Sequence, residues 1–169
     1  FDLTVSSVGL LLLMPVFAIL ALLVFLQDRG TVFFTQPRVG KGGKEFTLYK
    51  FRSMRMVPAA KRPGFEPGNT SRVTPVGRFL RKTKLDELPQ LWNVIRGDMS
   101  LVGPRPEVRK WVEAYPFRWT RILTVRPGIT DPASIVFRNE EILLAASKNP
   151  EQTYKDIILP HIQLYQIGK

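Results

Sequence analysis

Two adjacent carboxylates, Asp86 and Glu87, are the residues of this sequence best suited to carry out chemistry. Acids at the start of a helix also stabilise it through the helix dipole, by about 0.3–1 kcal/mol, so an isolated Asp-Glu pair has a simple structural interpretation. Here cations flank the pair, at Arg81, Lys82, Lys84 and Arg96. Because nearby cations favour ionised carboxylates, we expect both acids to be charged. Asp86 could then act as a nucleophile, and Glu87 could bind Mg²⁺ through oxygen.

Composition limits the other chemistries open to the chain. Its 169 residues include no cysteine and one histidine, His161, which excludes disulfides and thiolate metal sites and argues against a histidine triad or a zinc cluster. The net charge of +11 requires an anionic partner or surface. The sequence contains no helix-turn-helix, aromatic RNA-binding signature or zinc finger. We therefore expect anionic membrane lipids as partners and no nucleic acid.

The first part of the chain, residues 3–27, is an uncharged and mostly apolar run. A transmembrane helix needs about 20 such residues, so composition alone favours a simple spanning helix. Pro15 cannot donate a hydrogen bond to the carbonyl of Leu11, so we expect a kink there. The alternative is a re-entrant helix–break–helix whose two ends lie on the same face of the membrane. The basic residues that follow favour the cytoplasmic face: Arg29, Arg38, Lys41, Lys44, Lys50, Arg52 and Arg55.

The remaining sequence predicts an α+β fold with one small core. Residues 32–35 and 46–51 are rich in β-branched and aromatic side chains, and a glycine-rich turn separates them, which predicts a β-hairpin. A proline-rich loop is expected at 57–75. Periodicity predicts short and interfacial helices at 76–80, 89–95, 107–115, 140–147 and 151–167, the last interrupted at Pro160. We therefore divide the chain into a membrane segment, 1–28, and a catalytic domain at the membrane interface, 29–169.

Four runs of residues occur in a fixed order. They are Lys50-Phe51-Arg52-Ser53-Met54, Leu85-Asp86-Glu87-Leu88-Pro89-Gln90-Leu91-Trp92-Asn93-Val94, Arg96-Gly97-Asp98-Met99-Ser100-Leu101-Val102-Gly103-Pro104-Arg105-Pro106-Glu107 and Arg126-Pro127-Gly128-Ile129-Thr130. In these runs the sequence resembles the bacterial sugar transferase family, the monotopic phosphoglycosyl transferases. It is similar both to small members, which hold little beyond the catalytic unit, and to the catalytic part of larger members.

The resemblance implies a specific reaction. A phosphosugar would pass from a UDP-sugar to undecaprenyl phosphate with release of UMP, as the first membrane step of surface glycan assembly. Asp86 matches the nucleophile that forms a covalent aspartyl phosphosugar, and Glu87 matches the acid that helps to hold Mg²⁺. Residues implied in binding substrate phosphates are Lys50, Arg52, Arg81, Arg105 and Arg126. The kinetics would be ping-pong.

The resemblance also bears on location and topology. It implies the bacterial inner membrane, with the catalytic domain on the cytoplasmic face, and leaves the oligomeric state open, a homo-oligomer being one alternative. A cytosolic donor and a membrane-embedded acceptor require a site at the interface. That requirement favours re-entry at Pro15 over a simple span.

The sequence departs from the family pattern in two places. Met14 precedes Pro15 where serine is common, so no hydroxyl is available to satisfy the freed carbonyl groups. From Asp131 to Glu141 the sequence also differs from the usual continuation of the family. Family roles are therefore not carried past Thr130, and the sugar stays undetermined.

Two other functions are open on the sequence alone. One is a non-catalytic module that binds the anionic lipid surface, but such a module has no need of two acids inside a basic patch. The other is a tethered nucleic-acid binder, which salt-sensitive binding to nucleic acid would support.

Overall fold

The apolar N-terminal segment forms two helices rather than one. In a computed structural model, which describes residues 1–56, 71–137 and 139–167, α1 (Asp2–Leu12) and α2 (Met14–Asp28) are bent by 63° where they meet. Pro15 lies in the first turn of α2, where a missing N–H costs nothing, and the predicted break at this proline is confirmed. No single helix in the described ranges is long and apolar enough to cross a membrane, whereas the bent pair together has that length and composition.

Both ends of this helix pair contact the rest of the chain. At the start of α1, the Ser100 hydroxyl donates a hydrogen bond to Asp2 Oδ2 at 2.6 Å. At the end of α2, the Asp28 carboxylate pairs with Arg52. The two ends of the apolar segment are therefore held by the same folded part of the chain.

The predicted β-hairpin is confirmed. β1 (Phe33–Val39) pairs antiparallel with β2 (Glu45–Phe51) along its whole length. The turn between them is a 3₁₀ segment, Lys41–Gly43, in which Gly42 and Gly43 have φ angles of 67° and 77°. Glycine adopts these angles at little cost, so the glycine-rich sequence explains the turn.

Two short helices surround the carboxylate pair. α3 (Pro75–Thr83) begins after Thr74, whose hydroxyl accepts a hydrogen bond from a backbone N–H in the first turn of the helix. A 3₁₀ turn, Leu85–Glu87, leads to α4 (Gln90–Ile95). Both helices were predicted, whereas most of the loop expected before α3 lies outside the described residues.

The side of α4 that is buried in the structure is not the apolar side that periodicity predicts. Periodicity places Leu88, Leu91, Trp92 and Ile95 on one side. In the structure Asn93 and Val94 are buried, and Trp92 is 47% exposed. The polar side chain of Asn93 faces the hairpin, where it forms hydrogen bonds with backbone groups of β2.

A short parallel strand pair was not predicted. β3 (Ser100–Val102) pairs with β4 (Gly128–Thr130), and each strand is too short to show an alternating pattern. The two backbones pass so closely at Gly103 and Gly128 that a Cβ atom on Gly128 would overlap Gly103. The pair brings two of the sequence runs, which are far apart along the chain, into contact.

Apart from β4, the regular structure after β3 is helical in the described residues. Its helices are α5 (Arg109–Ala114), α6 (Pro116–Ile122), α7 (Pro132–Val136), α8 (Glu140–Ala145), α9 (Pro150–Thr153) and α10 (Leu159–Ile167). The helices expected at 107–115 and 140–147 are confirmed as α5 and α8. The break expected at Pro160 is misplaced, because a π-helical turn, Tyr154–Ile158, precedes it and Pro160 falls within the first turn of α10.

The expectation of one small core is wrong, because the described part of the chain contains three hydrophobic clusters. The C-terminal cluster is centred on the buried side chains of Trp111 and Trp119. The α2 cluster joins the apolar segment to the hairpin and α3, and its buried members are Leu20, Val24, Phe51 and Leu80. The third cluster lies between β2 and α4 and contains Leu48, Val94 and Met99. The hairpin contributes one buried residue to each cluster, namely Val39, Phe51 and Leu48.

The fully buried Asn93 joins α4 to the free edge of β2. Its Nδ2 donates to the Thr47 carbonyl at 2.7 Å, and its Oδ1 accepts from the Tyr49 N–H at 3.1 Å. The side chain thus replaces a neighbouring strand and fixes the position of β2 relative to α4.

We expect Asn93→Asp to destabilise the fold by about 1–3 kcal/mol, because aspartate cannot donate to the Thr47 carbonyl and would bury a charge. Thermal unfolding of the chain in lipid nanodiscs measures the effect. The control is Asn139→Asp at an exposed position that makes no capping hydrogen bond in the described structure. Equal melting temperatures for the two variants would contradict this role of Asn93.

Candidate active site

The carboxylate pair lies in the 3₁₀ turn between α3 and α4. Lys84 adopts a left-handed conformation, φ 59°, which ends α3 and reverses the chain into the turn. Leu85 and Leu88, on either side of the pair, pack against the α2 cluster. These two apolar contacts fix the turn from both sides, so they position the acids between them.

Glu87 forms an ion pair with Lys50 of β2, with Nζ and Oε1 2.7 Å apart and both side chains mostly buried. Burial tends to raise the pKa of Glu87, but the charges of Lys50 and Arg105 and the hydrogen bond from Lys50 outweigh it, so that pKa is lowered. Burial lowers the pKa of Lys50, although the Glu87 carboxylate opposes that change. The structure therefore brings together two of the predicted site residues in one buried pair.

Asp86 differs from its neighbour. Its side chain is 7% exposed, and its Oδ1 is buried without a hydrogen-bond partner among the described residues. Burial and the nearby Glu87 charge raise the pKa of Asp86, although Lys50, Lys84 and Arg81 act in the opposite direction. Nearby cations therefore lower the pKa of Glu87, as expected, whereas at Asp86 the effect of burial outweighs that of the cations. That Asp86 is ionised stays a prediction.

The two carboxylates fit a magnesium ion by their chemistry. They offer hard oxygen donors, and the unpartnered Oδ1 of Asp86 is an atom that still needs a positive neighbour. In the described ranges no group of three or more His, Cys, Asp or Glu residues could hold a metal alone. Mg²⁺ commonly takes one or two carboxylates and completes its shell with substrate phosphates and water, which matches this pair.

Two of the predicted arginines lie close to the pair. Arg81, in the last turn of α3, donates from Nε to the Ser53 hydroxyl at 2.9 Å, and its charge acts on Asp86. Arg105 interacts with Glu87 from the turn after β3. Burial of Arg105 disfavours its charge, but the nearby carboxylates of Glu140 and Glu87 outweigh burial and raise its pKa.

The turn that carries Arg105 is held by hydrogen bonds from three directions. The Arg105 N–H donates to Asp131 Oδ2 at 3.1 Å, and the carbonyl of Pro106 accepts from Arg38 of β1 at 3.1 Å. Glu107 accepts from Arg38 at 3.2 Å and from the Tyr154 hydroxyl at 2.6 Å. These contacts fix the backbone of the turn from which the Arg105 side chain extends.

The other two predicted phosphate-binding residues are not brought to the pair. The Arg52 guanidinium is buried against α2, where it bonds to Asp28 and to the Val24 carbonyl. Arg126 is exposed, and its side chain makes no hydrogen bond or ion pair with any other residue the structure describes. The role of Arg126 stays a prediction, whereas Nη1 and Nη2 of Arg52 already donate hydrogen bonds within the protein.

Sequence reasoning did not identify Ser53, Asp131, Glu107 and Tyr154 as parts of the site region. Ser53 and Glu107 lie within the quoted runs, so their position could have indicated them. Asp131 and Tyr154 lie beyond Thr130, and Tyr154 is 47 residues from its partner Glu107, a separation that no local pattern indicates.

A buried carboxylate pair facing lysine and arginine side chains suits an enzyme that acts on phosphate esters. In this chain the same fold also contains a bent pair of apolar helices. The comparison with known families agrees with this class. The chain belongs to the bacterial sugar transferase family, whose sequence profile matches residues 1–158. This confirms the resemblance and extends the match beyond Thr130.

Three curated relatives illustrate the similarity. The UDP-N-acetylgalactosamine-undecaprenyl-phosphate N-acetylgalactosaminephosphotransferase of Aeromonas hydrophila is 42% identical over 139 residues, which are 80% of this chain and 33% of the relative. The UDP-glucose:undecaprenyl-phosphate glucose-1-phosphate transferase of Escherichia coli (strain K12) is 43% identical over 141 residues, 79% of this chain and 30% of the relative. The exopolysaccharide production protein ExoY of Rhizobium meliloti (strain 1021) is 42% identical over 155 residues, which are 83% of this chain and 69% of the relative. The chain thus spans about a third of the length of the first two.

Proposed function

We propose that this chain is the catalytic unit of an enzyme that moves a sugar-1-phosphate from a UDP-sugar to a polyprenyl phosphate such as undecaprenyl phosphate. The names of the Aeromonas and Escherichia relatives support this class of reaction. The observation that carries the proposal is the buried Asp86 carboxylate, whose Oδ1 lacks a partner among the described residues while lysine and arginine charges surround it.

In the first step, a carboxylate oxygen of Asp86 attacks the phosphorus that bears the sugar. A new P–O bond forms to Asp86, the P–O bond to the uridine monophosphate breaks, and UMP leaves with the bonding electrons. In the second step, a phosphate oxygen of the polyprenyl phosphate attacks the same phosphorus. The bond to Asp86 breaks, the carboxylate is restored, and a polyprenyl diphosphate sugar is released.

The cations near Asp86 have complementary roles. Both substrates are anions, so Asp86 can approach the phosphorus only if positive charge neutralises the diphosphate. Lys50, Arg81 and Arg105 supply that charge from β2, α3 and the turn after β3. Mg²⁺ held by Glu87 and Asp86 would add further neutralisation of the substrate phosphates.

We further propose that the α1–α2 pair enters the membrane and returns to the same face, with the catalytic domain on the cytoplasmic side of the inner membrane. Asp2 and Asp28, near the two ends of the pair, both contact the folded domain, which supports a same-side arrangement. Many apolar side chains of the pair are exposed and suited to lipid: Leu3, Leu11, Leu12, Met14, Ile19, Leu22 and Leu26.

Single-cysteine labelling tests this topology. Because the sequence contains no cysteine, only the introduced residue can react with the label. We expect Phe1→Cys and Arg29→Cys to react with an impermeant maleimide from the same side of sealed vesicles, because a re-entrant pair returns both ends to one face. Lys148→Cys, an exposed position in the catalytic domain, reports the side on which that domain lies. Reaction of Phe1→Cys and Arg29→Cys from opposite sides would show a spanning helix instead.

A donor screen tests the proposed reaction. The chain in nanodiscs containing undecaprenyl phosphate is incubated with each of a set of UDP-sugars, and UMP is measured. We expect Mg²⁺-dependent UMP release with at least one donor. UMP release with none, together with binding to anionic lipid vesicles, would favour the non-catalytic lipid-binding module. The relatives named above act on different sugars, so the screen also identifies the sugar.

A further inference from the structure

Arg52 makes its contacts with the end of α2 rather than with the carboxylate pair. The side chain is 7% exposed. Its Nη1 donates to Asp28 Oδ2 at 3.0 Å, its Nη2 donates to Asp28 Oδ1, and Nη2 also contacts the Val24 carbonyl at 3.3 Å. Two parallel bonds to one carboxylate form the strongest geometry available to a salt bridge.

Arginine suits this position for physical reasons. The C-terminal end of the helix dipole is negative, so a cation beside the last turn of α2 is favourable. The fork of the guanidinium can meet the Asp28 carboxylate and the Val24 carbonyl together, which the single ammonium of lysine cannot. Gly30 leaves room for this contact, since a Cβ atom at that position would overlap Arg52 Nη1 and displace the guanidinium.

The same contact is connected to the active site through β2. Phe51, between Lys50 and Arg52, is buried in the α2 cluster with Leu20 and Val24 of α2. Lys50 pairs with Glu87 at 2.7 Å. A change in how α2 meets β2 at Arg52 would therefore change where the carboxylate pair lies relative to the apolar helices.

We propose that Arg52 is a positioning residue that acts through Asp28. It fixes α2 against β2, and so sets the height of the carboxylate pair relative to the membrane surface. The proposal rests on the proposed function and assigns Arg52 to reaction with the membrane-embedded acceptor, not to binding of donor phosphate. The donor arrives from water, so its reaction with Asp86 does not need that height to be set.

Two half-reactions separate these roles. UMP released by the chain in nanodiscs without acceptor reports the donor step, and transfer of the bound phosphosugar to undecaprenyl phosphate reports the acceptor step. For Asp28→Asn we expect the donor step to change by less than about twofold and the acceptor step to slow about tenfold. Arg52→Lys should slow the acceptor step to a similar extent, and the double variant should be no slower than either single variant. Arg121→Gln removes an exposed arginine charge and is the matched control.

The outcomes are distinct. If Arg52→Lys slows the donor step while Asp28→Asn changes neither step, Arg52 binds donor phosphate and the proposal is wrong. Additive losses in the double variant would likewise show that Arg52 does not act through Asp28.

A second measurement does not depend on activity. Amide hydrogen exchange in the last turn of α2, around Val24 to Asp28, should be faster in both single variants and unchanged in the control. If the unaltered chain releases no UMP, the proposed function fails, and this comparison alone tests the Arg52–Asp28 link. If amide exchange in the last turn of α2 is unchanged in both variants, the proposed role of the Arg52–Asp28 contact is wrong.

Discussion

Replacement of Asp86 by asparagine is expected to lower turnover by about 10³-fold or more, because the amide keeps the size of the carboxylate but cannot act as the attacking nucleophile. The side chain is buried in the turn before α4, and asparagine has nearly the same shape, so the fold should be retained. UMP release in nanodiscs with the donor found in the screen measures turnover.

The control for this change is Asp156→Asn, an exposed aspartate in the π-helical turn before α10. This variant removes one carboxylate but leaves Asp86 and Glu87 unaltered, so it should retain full activity. Turnover of Asp86→Asn within about tenfold of the unaltered chain would contradict the role of Asp86, since loss of a nucleophile costs far more than that.

Replacement of Glu87 by glutamine is expected to lower kcat/KM by about 100-fold and to raise the Mg²⁺ concentration needed for half-maximal activity by about tenfold. Glutamine can still accept the hydrogen bond from Lys50 that Glu87 accepts at 2.7 Å, so the turn should keep its position. What is lost is one negative charge that holds the metal and balances Lys50. A Mg²⁺ titration of UMP release measures both effects.

Glu113→Gln, on the exposed face of α5, is the matched control because, among the residues that the structure describes, its carboxylate makes only a long, exposed ion pair with Arg109. An unchanged Mg²⁺ dependence in Glu87→Gln would count against metal binding by Glu87. In that case the main role of the residue would be to hold Lys50 in place.

The parts of the fold that the sequence predicted are those that local chemistry determines. The glycines at 42 and 43 fix the hairpin turn through their positive φ angles, and Pro15 fixes the break in the apolar segment. The helices around Asp86 could be predicted because Pro75 and Gly97 mark a beginning and an end.

The parts that could not be predicted depend on contacts between distant residues. β3 and β4 are three residues each and exist only because they pair with one another. The hydrogen bond from Tyr154 to Glu107 joins the C-terminal helices to the turn that carries Arg105, and it has no local signature.

In the candidate site, the contacts of Arg52 likewise could not be predicted from the local sequence. It lies two residues from Lys50 in the same run of sequence, so the two were predicted to share a role. In the structure, Lys50 contacts Glu87 while Arg52 contacts Asp28. Which partner each cation meets depends on where α2 packs, and this follows from the burial of Val24 and Phe51 rather than from the spacing of the charges.

Intact-protein mass spectrometry of the chain after incubation with its UDP-sugar donor, without acceptor, tests the central proposal most directly. We predict a mass increase equal to the mass of the UDP-sugar minus that of UMP, which is one sugar-1-phosphate less one water, located on the peptide that contains Asp86, absent in Asp86→Asn and lost when undecaprenyl phosphate is added. If the unaltered chain turns over donor and acceptor but carries no such adduct, or carries it on a different residue, the proposed covalent role of Asp86 is wrong.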